Sequence, residues 1–60
     1  SNFKEYIDGL RLERAKHLLN ETDMKVEEIA RAVGYENSYS FTRFFKNNMG
    51  LTPKEFRALK

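Results

Sequence analysis

Between residues 38 and 47 the chain carries hydroxyls, a phenol, an amide and two cations, and no carboxylate: Ser38, Tyr39, Ser40, Thr42, Arg43, Lys46 and Asn47. Plotted as a helix at about 100° per residue, Tyr39, Arg43 and Lys46 share one face. Thr42 lies on one flank of that face, Ser40 and Asn47 on the other. Phe41, Phe44, Phe45 and Asn48 fall on the opposite side, with Met49 at its margin. The polar face can donate and accept hydrogen bonds and attract anions. A duplex major groove about 12 Å wide admits a helix, and these side-chain types address base edges and phosphates. Arg43 is the candidate for a bidentate contact to guanine, worth about 1–3 kcal/mol of discrimination. Lys46, one turn later, is placed for a phosphate.

Other chemistries find no residues to carry them. The chain has no cysteine and a single histidine, His17, which excludes a disulfide and a structural zinc site. His17 has no Ser-His-Asp arrangement or second ligand around it, and there is no Gly-rich phosphate loop, so the expectation is a non-enzyme without cofactor or metal. No apolar run approaches the roughly 18 residues of a membrane span, and the N-terminal residues lack a signal-peptide pattern. A soluble, cytoplasmic setting is expected, with no membrane partner.

The 60 residues are 40% hydrophobic and 13% aromatic, too apolar for a disordered tail although 33% are charged. The net charge of +2 is unevenly spread. Residues 1–30 hold five basic and seven acidic side chains; residues 31–60 hold six basic and two acidic. A basic second half points to a polyanionic partner.

The elements that must position the polar face are helices, since nothing alternates with the period of a strand. Ser1 or Asn2 caps a helix over 2–20. Its apolar residues change face: Phe3, Tyr6, Ile7 and Leu10 form one stripe, whereas Leu12, Ala15 and Leu19 centre on a face turned by more than about 90°, with Leu18 between. A helix that switches faces serves two cores, and the second is expected outside these residues. A second helix spans 26–33, with Glu27 and Glu28 in its first turn favouring the dipole and Gly34 as its stop. Asn37 or Ser38 caps a third over 38–49, closed by Gly50. Thr52-Pro53-Lys54-Glu55 reads as a capping box opening a last helix over 53–59. Helices 26–33 and 38–49, joined at Gly34 with small Ala30 permitting a close crossing, form a helix-turn-helix. The fold class is all-α, a homeodomain-like three-helix unit with a long first helix and a short last one.

Each assignment has a plainer rival. Arg43 can pair with Glu28 or Glu36, a surface contact worth at most about 1 kcal/mol. Tyr39 can cover the core edge, and Lys54, Arg57 and Lys60 can form a solvated helix face. The three phenylalanines of 38–49 read as packing.

The run Ile29-Ala30-x-x-Val33-Gly34-Tyr35, then Phe41-Thr42-Arg43-x-Phe45-Lys46, then Gly50-x-Thr52-Pro53-x-x-Phe56-Arg57 resembles the C-terminal part of the DNA-binding domain of AraC/XylS-family transcription regulators. Phe3-x-x-Tyr6-Ile7, Arg11-Leu12 and Ala15-x-x-Leu18-Leu19 match that family's connecting helix. The resemblance covers nearly the whole chain. It implies a joining helix plus the second of two helix-turn-helix subdomains, with the Phe3–Leu10 stripe packing on the first subdomain, absent here. It places groove-facing positions at Ser38, Tyr39, Ser40, Thr42 and Arg43. Phosphate contacts are expected at Lys46, at the start of the helix at Val26, and, from the basic last helix, at Lys54 and Arg57, with Asn47 beside Lys46. One departure is Ser40, where the family often has a bulky aromatic. The implied function is major-groove binding of double-stranded DNA within a bacterial regulator. The alternative is a protein-interaction module docking through Phe3, Tyr6, Ile7 and Leu10; in an activator, this surface and the acidic positions of 1–30 would meet RNA polymerase.

Overall fold

A computed structural model describes residues 2–59, so Ser1 as a cap and Lys60 as a basic-face residue lie outside the described residues. Four helices follow in order: α1 (Phe3–Glu21), α2 (Val26–Ala32), α3 (Ser38–Met49) and α4 (Pro53–Ala58). Their limits are set by side chains that satisfy the backbone groups a helix end leaves free. At α1 the Glu5 N–H donates to Asn2 Oδ1 (2.9 Å) and the Asn2 N–H donates to the Glu5 carboxylate (3.3 Å). The Ser40 N–H donates to Asn37 Oδ1 (2.9 Å) at the start of α3. At α4, Thr52 and Glu55 exchange the same pair of bonds as Asn2 and Glu5, with Pro53 in the first turn. The bonds from the Thr52 N–H and then its hydroxyl hold the Glu55 carboxyl below its ordinary value of 4.5.

The end of α2 is a Schellman turn. The Gly34 N–H donates to Arg31 O (3.1 Å) and the Tyr35 N–H to Ala30 O (2.9 Å). Gly34 holds the left-handed conformation this requires, with φ of 101°. Gly50 closes α3 in the same region, at φ 81°. The sequence-based ends differ from the structure by a residue: α1 runs on to Glu21, Val33 caps α2, and Leu59 caps α4.

α1 packs on α2 and α4, and α3 packs on the same two helices. Ala15, Leu19, Ile29, Ala30, Val33, Phe41 and Phe45 are buried between them. Ala30, expected at the crossing of α2 and α3, is fully buried. Rings tie the turn to both later helices: Tyr35 to Phe44 (5.3 Å), Tyr35 to Phe41 (6.0 Å), Phe41 to Phe45 (5.9 Å) and Phe45 to Phe56 (5.4 Å) between centroids. Edge and tilted contacts of this kind add to area burial. The face switch in α1 is present. Ala15 and Leu19 enter this core, whereas Phe3, Tyr6 and Leu10 remain 80%, 64% and 52% exposed.

Candidate nucleic-acid interface

With Phe41 and Phe45 buried and Phe44 half-buried against Tyr35, the opposite arc of α3 must face solvent. Tyr39, Ser40, Arg43, Lys46 and Asn47 are all exposed there. Tyr39 does not cover the core edge: it is 70% exposed, and the Arg43 guanidinium lies over its ring at 6.0 Å from the centroid. This one-turn cation–π contact restrains two flexible side chains without neutralising the arginine. Among the described residues Arg43 forms no ion pair with Glu28 or Glu36.

Ser38 and Thr42 are half-buried on the flank. They line a shallow groove with Val26 and Glu27 of α2 and Thr52, Pro53 and Lys54 of α4. The groove therefore brings together the capped N-termini of α2, α3 and α4, whose dipoles favour negative charge, and Glu27 lines it too. Lys54 is exposed at its rim. The expected residues thus divide in two: Tyr39, Ser40, Arg43, Lys46 and Asn47 on the open arc, Ser38, Thr42 and Lys54 along the groove.

Arg57, expected among the phosphate contacts, is engaged within the chain. Its Nε donates to Leu19 O and its Nη2 to Thr22 O, each at 3.1 Å. The guanidinium thereby closes the carbonyl end of α1, which has no basic residue of its own in its last turn. Asn48 is corrected: it falls on the inward arc by angle but is exposed, its amide donating to Phe44 O at 2.9 Å. Sequence reasoning gave no part to Arg11 beyond a motif match. Its guanidinium lies 5.3 Å from the Tyr35 ring centroid and against Gly34. The signal that was available is Gly34 itself, a residue that permits close approach as well as a positive φ.

Two helices joined by a tight turn, the second buried along its back and presenting a cationic arc free of carboxylates, define a helix-turn-helix domain. Residues 1–59 match the family model described as a helix-turn-helix domain. The uncharacterized HTH-type transcriptional regulator YijO of Escherichia coli (strain K12) is 46% identical over 55 residues, 92% of this chain and 19% of that protein. The C-terminal domain of the two-component response regulator yesN from Fusobacterium nucleatum superposes with a TM-score of 0.92 at 40% identity, over 95% of this chain and 55% of that one. The DNA-binding domain of the global transcriptional factor AdpA, solved in complex with a target DNA, gives 0.90 at 25% identity, over 98% and 53%. The chain belongs to the AraC-type helix-turn-helix family of transcription regulators. It spans about a fifth of YijO and about half of the two solved domains.

Proposed function

We propose that the chain binds double-stranded DNA by seating α3 in the major groove, as the second helix-turn-helix of a two-part DNA-reading unit in a bacterial transcription regulator. The observation that carries this reading is the open arc of α3, with Tyr39, Arg43 and Lys46 presented from a buried aromatic back and no carboxylate among them. Arg43, restrained over Tyr39, supplies a planar donor fork toward a base edge, with Tyr39, Ser38, Ser40 and Thr42 reading beside it. Lys46, Asn47 and Lys54, with the start of α2 at Val26, lie along the backbone. Phosphate contacts fix register, and the base edges supply sequence discrimination.

The exposed apolar stripe of α1 supports a second contact, to the first helix-turn-helix subdomain; an activator would also present surface to RNA polymerase. One subdomain covers only a few base pairs, so affinity for a short duplex is expected to be low and salt-dependent. Fluorescence anisotropy with a labelled mixed-sequence duplex tests the reading. Neutralising Lys46 should lower the slope of log affinity against log salt by about 1, as loss of one phosphate contact does. An unchanged slope in K46A would remove Lys46 from the interface, and no binding at low salt would remove the reading.

A further inference from the structure

The groove-facing arc of α3 is only as well oriented as the turn that delivers it, and one side chain from outside the helix-turn-helix reaches that turn. Arg11 extends from α1 so that its guanidinium stands over the Tyr35 ring at 5.3 Å. A Cβ built on Gly34 would meet Arg11 Nη2 at 3.3 Å, Cζ at 3.4 Å and Nε at 3.6 Å. Three guanidinium atoms at nearly equal distance from that point mean that the planar group turns its face toward the open side of Gly34. Gly34 is required for its φ of 101°, and a Cβ there would crowd the guanidinium by only a few tenths of an ångström. Tyr35 in turn contacts Phe44 and Phe41 of α3, and its N–H completes the α2 cap on Ala30 O. A continuous line of contacts therefore runs from α1 through Arg11 and Tyr35 to the back of the recognition helix.

We infer that Arg11 is a positioning residue for DNA recognition: it clamps the Gly34-Tyr35 turn and so fixes the orientation of α3 without itself touching DNA. This rests on the DNA-binding reading above. Arg11 also lines a groove with exposed Phe3 and half-buried Ile7 and Asp8 of α1 and with Tyr35, so the clamp stands between the start of α1 and the turn. Lysine is a poor substitute, because it keeps the charge but loses the plane that faces Gly34. Methionine keeps an apolar stem of similar reach and loses the charge as well.

The test compares R11M and R11K with the parent chain, first free and then with the mixed-sequence duplex. In the free chain, R11M is expected to move the ring resonances of Tyr35, Phe41 and Phe44 and the amides of 36–43, and R11K to move them less in the same direction. With duplex, R11M should weaken binding roughly 3- to 10-fold while the salt slope stays that of the parent, since no phosphate contact is lost. Y35L should weaken binding similarly, and adding R11M to it should cost nothing further, the non-additivity of residues acting through one contact. Shifts confined to residues near position 11 would overturn the inference. So would a salt slope lowered by about 1 in R11M, which would make Arg11 a direct phosphate ligand. If R11M does not fold, R11K carries the same free-chain comparison. If the parent binds no duplex, the proposed function fails, while the free-chain shifts still decide whether Arg11 holds α3.

Discussion

Two surfaces of this chain are left uncovered, and they are chemical opposites. The first turns of α1 expose Phe3, Tyr6 and Leu10, apolar groups that gain by leaving water. The outer arc of α3 exposes Tyr39, Arg43 and Lys46, cations and hydrogen-bonding groups that gain by meeting an anion. Both surfaces stand on one core and differ in how they are held. α3 is gripped along its back by Phe41, Phe44 and Phe45 through the ring contacts to Tyr35 and Phe56, whereas the start of α1 projects beyond the core that takes in Ala15 and Leu19. Exposure alone therefore does not mark function. A rigidly held polar arc suits readout of a polyanion, which depends on orientation; a bare apolar stripe suits burial against protein, which depends on area.

The largest effect on this comparison comes from removing the shared support. Phe45→Ala deletes a fully buried ring that contacts Phe41 and Phe56 and should cost about 3–5 kcal/mol. That is enough to unfold so small a domain, read as loss of helical circular dichroism at 25 °C, and both surfaces fail together. Next in size is Arg43→Ala, which separates them. Duplex affinity should fall by about 1–3 kcal/mol, with thermal stability nearly unchanged because Arg43 is exposed. Leu10→Ala is the converse: duplex affinity in anisotropy should stay within about twofold, while association with a first subdomain added in trans weakens.

Gly9→Ala is a smaller effect of opposite sign. Gly9 is exposed inside α1, and a Cβ there meets nothing within 4 Å. The substitution should stabilise α1 by about 0.5–1 kcal/mol, raising the midpoint of thermal unfolding without altering DNA affinity. Smallest is the acid response of α4. The Glu55 carboxyl is held below 4.5 in the folded chain, first by the Thr52 N–H and then by its hydroxyl. A group with a depressed folded value contributes stability that is present above its unfolded value and is lost as pH falls through the folded one. The capping box should therefore persist at pH 5 and open only as pH falls through the lower, folded value, followed by the Thr52 amide shift, and Thr52→Ala should flatten that titration.

The sequence was most legible where structure depends on near neighbours. Asn37, the Thr52-Pro53-Lys54-Glu55 run, Gly34 and Gly50 act within four residues of themselves, so helix limits follow from them to within about a residue. The two faces of α1 were equally readable, because periodicity needs no knowledge of what the face meets. Contacts across the chain were not. Arg57 meets Leu19 and Thr22 across 38 and 35 residues, and nothing local distinguishes an arginine that closes a distant helix from one that meets a phosphate. Asn48 failed for another reason. Angle alone placed it inward, whereas it is exposed with its amide turned back onto Phe44 O, and Met49 beside it packs against the core instead. Tyr39, by contrast, is exposed with Arg43 over it, as the plotted arc required.

Seating of α3 in the major groove is put to the test by an amide chemical-shift titration of the isotope-labelled chain with a short mixed-sequence duplex, at low and at moderate salt. Groove insertion should give shifts concentrated in residues 38–47 and at the start of α2, fading as salt rises. Shifts confined to residues 3–10, or none from a folded spectrum, would contradict it.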